Sequence, residues 1–215
     1  MKIYKDKSKD KSYFYYFGWT IPVFLGVFYL LFFVIFQGVY RVKPYERIDI
    51  FIAAYGVNDN YYQNEITKQF KDDGLVEVNI YDYPVNDSKI YDYYQAYGES
   101  SDFVILSEGD VNEMKEVIKD KYVPLDTLAT DCPTINHYDV YQYDSISYGI
   151  KIFDKADDIY NAKYDFTSHI NFTLEGKEKT DYYLLINKSS VNFDKENNHI
   201  LGYKVLEYYL DINEK

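Results

Sequence analysis

Six polar and aromatic side chains stand in the loops that follow three apolar segments, and their types suit the recognition of a polar solute. These residues are Tyr55, Asn58, Asp59, Tyr83, Ser107 and Glu108. Tyrosine rings offer flat faces, and amide, hydroxyl and carboxylate groups offer directional hydrogen bonds. Together they suit a sugar or another neutral polar molecule. The competing interpretation is structural, because residues such as Asn58 and Asp59 usually form turns and helix caps.

A catalytic or metal-dependent function finds little support in the sequence. His137, His169 and His199 lack the spacing of metal ligands, and the chain has no Gly-x-Ser-x-Gly elbow, phosphate-binding loop or EF-hand calcium loop. Cys132 is the only cysteine, which excludes an intrachain disulfide and a thiolate metal cluster. We therefore expect a non-enzymatic protein with no catalytic residues, no metal and no cofactor.

Apolar and amphipathic segments alternate in the manner of βα units. Strands are predicted at 47–54, 75–81 and 103–107, with starts about 28 residues apart. The stripe of Tyr62, Ile66 and Phe70 predicts a helix after the first strand. This spacing predicts a parallel sheet with right-handed crossovers and the strand order 2-1-3. Since parallel strands deliver their following loops to one edge, the six candidate residues should converge there.

Capping residues predict where the helices begin and end. Asn60 with Gln63, and Asp110 with Glu113, have the spacing of capping boxes at helix starts. Gly74 suits the end of the first helix, because glycine adopts the left-handed conformation that terminates helices.

A second helix is predicted between the strands at 75–81 and 103–107. Four tyrosines cluster on it and offer a sugar-binding or partner-binding surface. Tyr94 and Tyr97 share the apolar face of the helix and are expected in the core. Tyr91 and Tyr93 are the two that remain free to face solvent.

The C-terminal half is less regular. Strands are predicted at 148–153 and 182–186 and a helix at about 200–210, with at least one of the two strands antiparallel to the first three. The segments 129–147 and 154–180 give no clear prediction. The whole region from 47 to 215 is expected to form one α/β domain with a parallel or mixed sheet, joined to the preceding segment by a linker at 41–46.

The N-terminal part predicts a membrane anchor. Residues 13–40 form an apolar segment in which Phe17 to Phe36 carry no charge, enough to span about 30 Å of hydrocarbon as a helix. Residues 1–12 form a basic tail with five lysines, which places the N-terminus in the cytoplasm and the domain outside a cell membrane. A cleaved signal peptide is the rival interpretation. It is disfavoured because the apolar run is long and no small-residue cleavage site or lipobox cysteine follows it.

The distribution of charge excludes some partners. The net charge is −12, and the basic tail has a surplus of three positive charges, which leaves −15 on the rest of the chain. Nucleic acid and anionic lipid repel such a domain, so neither is expected as its partner. An exported domain without disulfides is typical of a Gram-positive-type bacterial surface.

The order of the elements resembles the type II extracellular solute-binding proteins of bacterial ABC importers. The resemblance covers about 45–210 and rests on the segments IDIFIAAYG, SDFVILSEGDVNEM, YVPLDTL, SISYGIKIF, DYYLLINKSSVNFD and GYKVLEYYL. It implies a binding function, with a polar solute and an importer permease or another envelope protein as partners. Members of that family enclose their ligand between two lobes. Here only residues 154–180 separate the hinge-like strand from the returning segment, too few for a second core, so the resemblance implies a single lobe.

Two functions of different kinds remain open. The first is an anchored extracellular binding module for a sugar or another polar solute, which would serve an ABC importer. The second is a structural or interaction protein of the cell surface, because half of a cleft buries less ligand and binds it weakly. An extracellular hydrolase comes third, since the sequence lacks a nucleophile or metal constellation.

Overall fold

The computed structural model describes residue 18 and residues 20–84, 89–157 and 163–214. The chain divides into two units, Met1–Val42 and Lys43–Lys215. The predicted basic tail at 1–12 and the first residues of the predicted anchor lie outside the described residues.

The first unit contains one helix, α1, at Thr20–Tyr40. Its described side chains run without a break from Thr20 to Phe36, and all of them are exposed. Tyr29 stacks on Phe33 one turn later, with ring centroids 6.4 Å apart. Judged on the residues that are described, none of the helices is long and apolar enough to cross a membrane.

The second unit is built around a mixed sheet. Its strands, in chain order, are β1 Arg47–Ile52, β2 Gly56–Val57, β3 Glu77–Asp82, β4 Phe103–Ser107, β5 Val140–Tyr143, β6 Ile146–Phe153, β7 Ile170–Asn171 and β8 Tyr182–Ile186. Six of them form one sheet in the order β3-β1-β4-β8-β6-β5, and β2 pairs with β7 in a short second ladder.

The strand pairing confirms the predicted topology. β1 lies between β3 and β4 and is parallel to both, which is the predicted order 2-1-3. β8 runs antiparallel to β4 and to β6, so one of the two later strands is antiparallel, as expected. β5 and β6 form a hairpin at the far edge of the sheet.

Helices cover both faces of this sheet. In chain order they are a π-helical turn at Tyr61–Ile66 that continues as α2 Thr67–Gln69, then α3 Ile90–Ala96, α4 Glu108–Glu113, α5 Lys115–Lys121, α6 Leu125–Leu128 and α7 Leu201–Asp211. Short 3-10 turns lie in the connections between helices and strands, at Lys71–Asp73, Pro133–His137 and Asp165–Ser168 among others.

The alternation of side chains along β1 divides the core into two layers. Ile48, Ile50 and Ile52 face a cluster that includes the inner side chains of the π-helical turn, α6 and α7. Phe51 and Ala53 face the opposite cluster, which α3, α4 and α5 cover. Burial of each large apolar side chain contributes about 1.5–3 kcal/mol, so both faces stabilise the sheet. The result is a three-layer α/β/α arrangement.

The predicted helical stripe is confirmed, but both predicted capping boxes are wrong. Tyr62, Ile66 and Phe70 are buried. Asn60 has helical backbone angles and forms no capping hydrogen bond, because the helical turn begins there in a π conformation. At the start of α4 the cap is Ser107, not Asp110: the Ser107 hydroxyl accepts a hydrogen bond from the Asp110 N–H.

Other predictions near these helices hold. Gly74 has φ of 95° and ends the 3-10 turn after α2, as expected of a glycine in the left-handed region. The predicted C-terminal helix corresponds to α7.

Two features of the C-terminal half did not stand out in the sequence. Asp144 and Ser145 both have positive φ, 50° and 63°, and form the tight turn between β5 and β6. The connection between β6 and β8, at 154–180, also enters the core, because Tyr164, Phe166 and Phe172 are buried. This connection therefore completes the domain.

Candidate functional site

The loop after β1 carries three of the candidate residues and is held by the connection that contains β7. The Tyr55 N–H donates to the Asn171 carbonyl at 2.9 Å, and the Asn58 N–H donates to the His169 carbonyl at 2.8 Å. The side chains of Asn58 and Asp59 are exposed, and that of Tyr55 is half-buried. Their backbone is thus fixed by structural hydrogen bonds.

Ser107 and Glu108 also have structural partners. The buried Ser107 hydroxyl donates to the Asp110 carboxylate at 2.5 Å, in addition to accepting the Asp110 N–H. Burial raises the pKa of Asp110, although these hydrogen bonds oppose the shift. Glu108 forms an ion pair with Lys155 at 2.9 Å, and its N–H donates to the Asp181 carbonyl.

Tyr83 belongs to the other face of the sheet, in a group of rings that we call the tyrosine stack: Tyr81, Tyr83, Tyr93 and Tyr97. Tyr83 stacks on Tyr93 with centroids 4.0 Å apart and on Phe51 at 5.6 Å, and Tyr81 stacks on Tyr97 at 5.0 Å. Burial raises the pKa of Tyr81 and of Tyr83. Tyr97 was predicted in the helix core but is 40% exposed, because it stacks against the edge strand β3.

The carboxyl edge of the parallel strands is filled by aromatic side chains. Phe172, next to β7, stacks on Phe153 with ring centroids 5.0 Å apart and packs at a tilt against Tyr182 at 4.8 Å. Within the described residues, no hydrogen bond, ion pair or ring stacking joins any two of the six candidates. The Tyr182 hydroxyl is buried there and has no hydrogen-bond partner in the described part of the chain. The topology brings the candidate loops to one edge, but no contact of these kinds joins the six side chains within the described residues.

A groove of about 770 Å³ lies along the outer side of α7. We call it the α7 groove and define it by Phe70, Tyr203, Glu207, Tyr208 and Asp211, which line it. Tyr203, Glu207 and Asp211 are spaced four residues apart, so they share one face of the helix. Tyr208 packs edge-on against Phe70 with centroids 5.3 Å apart, which fixes the aromatic wall.

Two ion pairs flank this groove and neutralise its lysines. Lys204 pairs with Asp73, and Lys195 pairs with Asp131. All four residues also line the groove. The positive charges of the lining are therefore already matched by carboxylates.

Two further carboxylates of the groove lack a cationic partner. One oxygen of Glu207 accepts a hydrogen bond from the Thr134 hydroxyl at 2.7 Å, whereas the other is buried without any hydrogen-bond partner in the described structure. Asp211 is exposed, and among the described residues its carboxylate forms no hydrogen bond or ion pair. The groove thus combines aromatic faces with the exposed carboxylate of Asp211, whereas Glu207 has one oxygen bound to Thr134 and the other enclosed by protein.

Cys132 lies close to the groove but is not a nucleophile. Its side chain is fully buried, and its thiol donates weakly to the Tyr203 carbonyl at 3.5 Å. Burial raises the pKa of the Cys132 thiol to about 12, and the nearby carboxylates of Glu207 and Asp131 add to the shift. Since the thiolate is the reactive form, this cysteine is inert at neutral pH.

The sequence contained one signal for this groove, which the prediction of α7 did not use. The inward side chains Leu201, Val205 and Tyr209 identify the helix, and the residues between them form the groove wall. The ion pairs of the groove, Lys204–Asp73 and Lys195–Asp131, join distant parts of the chain and could not be inferred.

The described residues include no group of three or more His, Cys, Asp or Glu side chains placed to hold a metal ion. No protein-family model matches this sequence, and no curated protein matches it significantly.

Proposed function

We propose that this protein is a membrane-anchored, non-enzymatic binding module that holds a small polar solute in the α7 groove. The groove itself carries the proposal, because its volume of about 770 Å³ falls within the range of small-molecule sites. Its aromatic wall and the exposed carboxylate of Asp211 provide the apolar contact and the polar group that such sites combine.

The sequence supports the anchor and its orientation. The uncharged run from Phe17 to Phe36 follows a basic tail, a pattern that favours a cytoplasmic N-terminus and an external domain. The exposed apolar side chains of α1 are also compatible with a hydrocarbon environment. Protease added to intact cells should remove the region after residue 45 and leave a membrane-bound stub, whereas full protection would contradict the proposed orientation.

The arrangement of β6 and β8 supports a likeness to one lobe of a solute-binding protein. These are the strands by which a two-lobed chain would leave the first lobe and return to it, and here they lie side by side and antiparallel. The short connection between them packs onto the same domain instead of forming another one. An importer permease or another envelope protein is the partner that this likeness implies.

A structural or interaction protein is the second candidate, and the tyrosine stack favours it. Tyr97 of the stack is 40% exposed, and Tyr91 of the adjoining helix α3, which is not part of the stack, is 53% exposed, on the side of the sheet opposite to α7. Aromatic side chains of this kind are enriched at protein interfaces. The filled carboxyl edge also fits a lobe that has lost the family's ligand site.

Calorimetry on the full-length chain in nanodiscs separates the two functions. Heat from a neutral sugar, an amino acid or an amine, abolished by Tyr208→Ala but retained in the opposite-face control Tyr91→Ala, is the expected result. The groove is open, so we expect a dissociation constant of roughly micromolar to millimolar. No heat from any of these solutes, together with a protein crosslinked through the tyrosine stack, would favour the interaction function instead.

A further inference from the structure

We infer that the outer edge of β3 is a docking site for an extended, basic segment of a partner protein, which adds to the sheet as a further strand. We call this site the β3 edge and define it as the side of Glu77–Asp82 that faces away from β1. The inference is independent of solute binding in the α7 groove. It gives the interaction function a docking mode and a chemical class of partner.

The open side of β3 is the first argument. β3 lies at one end of the six-stranded sheet, and within the described residues β1 is its only strand partner. The register between the two strands advances regularly from Arg47–Glu77 to Ile52–Asp82. A regular outer strand exposes a row of backbone N–H and C=O groups, and another extended chain can pair with them.

The opposite end of the sheet shows how an edge is protected. The outer strand there, β5, has only four residues, and its register with β6 is irregular. Lysines stand at both of its ends, where Lys119 pairs with Asp144 and Lys163 pairs with Asp139. Short length, irregular register and lysines all hinder pairing with another chain. β3 is longer, at six residues, and contains no lysine.

The alternation of side chains along β3 indicates what pattern an added strand should have. Val78 and Ile80 belong to one face of the sheet, and Tyr81 belongs to the other. The exposed Val76 precedes the strand on the apolar side, whereas Glu77 lies on the side of Tyr81. An added strand that alternates apolar and polar side chains would continue both faces.

The charges around the β3 edge select a basic partner. Glu77 and Asp82 lie on the strand itself, and Asp59 lies close to one end of it. Burial and the neighbouring charge of Asp82 raise the pKa of Asp59. Within the described residues, none of these three carboxylates forms an ion pair. Lysines or arginines of an added strand would therefore supply charges that the domain itself does not.

The tyrosine stack lies on the polar side of this edge and suits the same partner. Tyr97 is exposed and stacks on Tyr81 of β3, with ring centroids 5.0 Å apart. An aromatic face attracts a lysine or arginine side chain through cation–π contact. Basic side chains on this face of an added strand would thus meet both carboxylates and rings.

The same charges disfavour a second copy of this chain as the occupant. If two β3 strands paired antiparallel about their midpoints, Glu77 of each copy would stand opposite Asp82 of the other. Like charges directly opposite each other destabilise a strand pair. The occupant is therefore a segment of a different protein, with positive charges at alternate positions.

A dye-labelled, capped peptide of alternating lysine and valine tests the inference by fluorescence anisotropy, with the full-length protein in nanodiscs of zwitterionic lipid. We expect this peptide to bind. The same peptide with alternate backbone nitrogens methylated keeps its charge but loses strand donors, and it should bind about tenfold more weakly or less. A peptide of alternating glutamate and valine should not bind.

Hydrogen exchange in the complex locates the bound peptide. Exchange of the backbone amides should slow in β3 and stay unchanged in β5, which serves as the internal control.

Two variants test which side chains select the peptide. Glu77→Lys should weaken binding about tenfold or more, because it places a like charge beside the lysines. Tyr97→Ala should weaken binding about two- to fivefold through the loss of cation–π contact. The control Asp126→Lys makes the same charge change on α6, which packs on β6, and should leave the affinity nearly unchanged. Thermal unfolding checks that each variant remains folded.

Four results would overturn the inference. They are no binding of the lysine–valine peptide, equal binding of its methylated form, protection only outside β3, and equal weakening by Glu77→Lys and Asp126→Lys. The second and the fourth would show general attraction to an acidic domain. None of these results changes the calorimetry of the α7 groove, so the two proposals fail separately.

Discussion

The carboxyl edge and the α7 groove contain the same kinds of residue, but they use them differently. At the carboxyl edge, Glu108 is paired with Lys155 and Ser107 caps a helix, while the buried Phe172 stacks on Phe153. In the α7 groove, neither Glu207 nor Asp211 has a cationic partner among the described residues, and Asp211 is exposed beside the open space. The comparison teaches that a residue type suited to binding marks a site only where the fold leaves it without an internal partner.

The two regions also differ in whether their buried tyrosine hydroxyl groups have hydrogen-bond partners. Beneath the α7 groove, the hydroxyls of Tyr62 and Tyr209 lie 2.5 Å apart and bind each other. At the carboxyl edge, the hydroxyl of Tyr182 is buried without a partner in the described structure. The Tyr182 hydroxyl at the edge is thus unsatisfied within the described structure, whereas the Tyr62–Tyr209 pair satisfies two buried hydroxyls under the groove.

The largest expected effect tests whether the connection really fills the carboxyl edge. Phe172→Ala should lower the free energy of unfolding by about 3–5 kcal/mol, because it removes a buried ring between Phe153 and Tyr182. Urea unfolding of the purified protein measures this change. Leu174→Ala, two residues away and 44% exposed, is the matched control and should change the stability by less than about 0.5 kcal/mol. Equal, small effects of both variants would mean that the edge is open.

A smaller effect compares the two buried hydroxyl groups directly. Tyr209→Phe should cost about 1–3 kcal/mol, because it leaves the Tyr62 hydroxyl buried without its partner. Tyr182→Phe removes an unpartnered hydroxyl and should be neutral or slightly stabilising. Thermal unfolding of the two variants gives both values. A loss of stability in Tyr182→Phe as large as that in Tyr209→Phe would show that the edge hydroxyl has a partner after all, such as an internal water.

The architecture was predictable from the sequence because local patterns determine it. The apolar runs of β1 and β4, bounded by turn residues and evenly spaced, were sufficient for the parallel order of the first strands. The hairpin of β5 and β6 was missed because Asp144-Ser145 is a weaker turn signal than Asn-Gly, although both residues adopt positive φ. The correct cap at Ser107 was missed because Asp110 had equally good spacing.

The candidate site was harder to predict because it depends on contacts between distant residues. Asn58 and Glu108 stand where ligand residues stand in open sheets, but their environment is set by His169 and Lys155, from the second half of the chain. In the α7 groove, Lys195 pairs with Asp131 and Lys204 pairs with Asp73. Only this choice of partners leaves Glu207 and Asp211 without a cation. Which polar group remains unpaired is a property of the tertiary structure.

A third prediction uses pH to compare a histidine of the closed edge with an exposed one. His169 stacks on Tyr61 with ring centroids 3.4 Å apart, and burial lowers its pKa below the ordinary 6.5, although Asp165 opposes the shift. The folded protein therefore binds fewer protons than the unfolded chain just below pH 6.5. The stability that this histidine contributes is present above pH 6.5 and is lost as the pH falls through the folded pKa.

The exposed histidine, His137, changes the stability in the opposite direction as the pH falls. A hydrogen bond that His137 donates to the Glu214 carboxylate raises the pKa of His137, so its contribution is present below pH 6.5 and is lost as the pH rises through the folded value. Urea unfolding between pH 5 and 8 should show a flatter acid limb in His169→Phe, which keeps a ring on Tyr61. His137→Asn should not flatten that limb, and an unchanged limb in His169→Phe would place its titration elsewhere.

The smallest expected effect is that the Cys132 thiol does not react with maleimide. This experiment tests whether the wall of the α7 groove is rigid. With a pKa of about 12, roughly one Cys132 thiol in ten thousand is ionised at pH 8, and the side chain is fully buried. Cys132 should therefore resist maleimide in the native protein and react only after denaturation. In a Leu174→Cys variant, the added thiol on the exposed connection should react within minutes and serves as the internal standard. If Cys132 reacted at a similar rate, the segment that carries Thr134 would open readily. The orientation of Glu207 would then not be preformed, so the contrast between a closed edge and a ready groove would not hold.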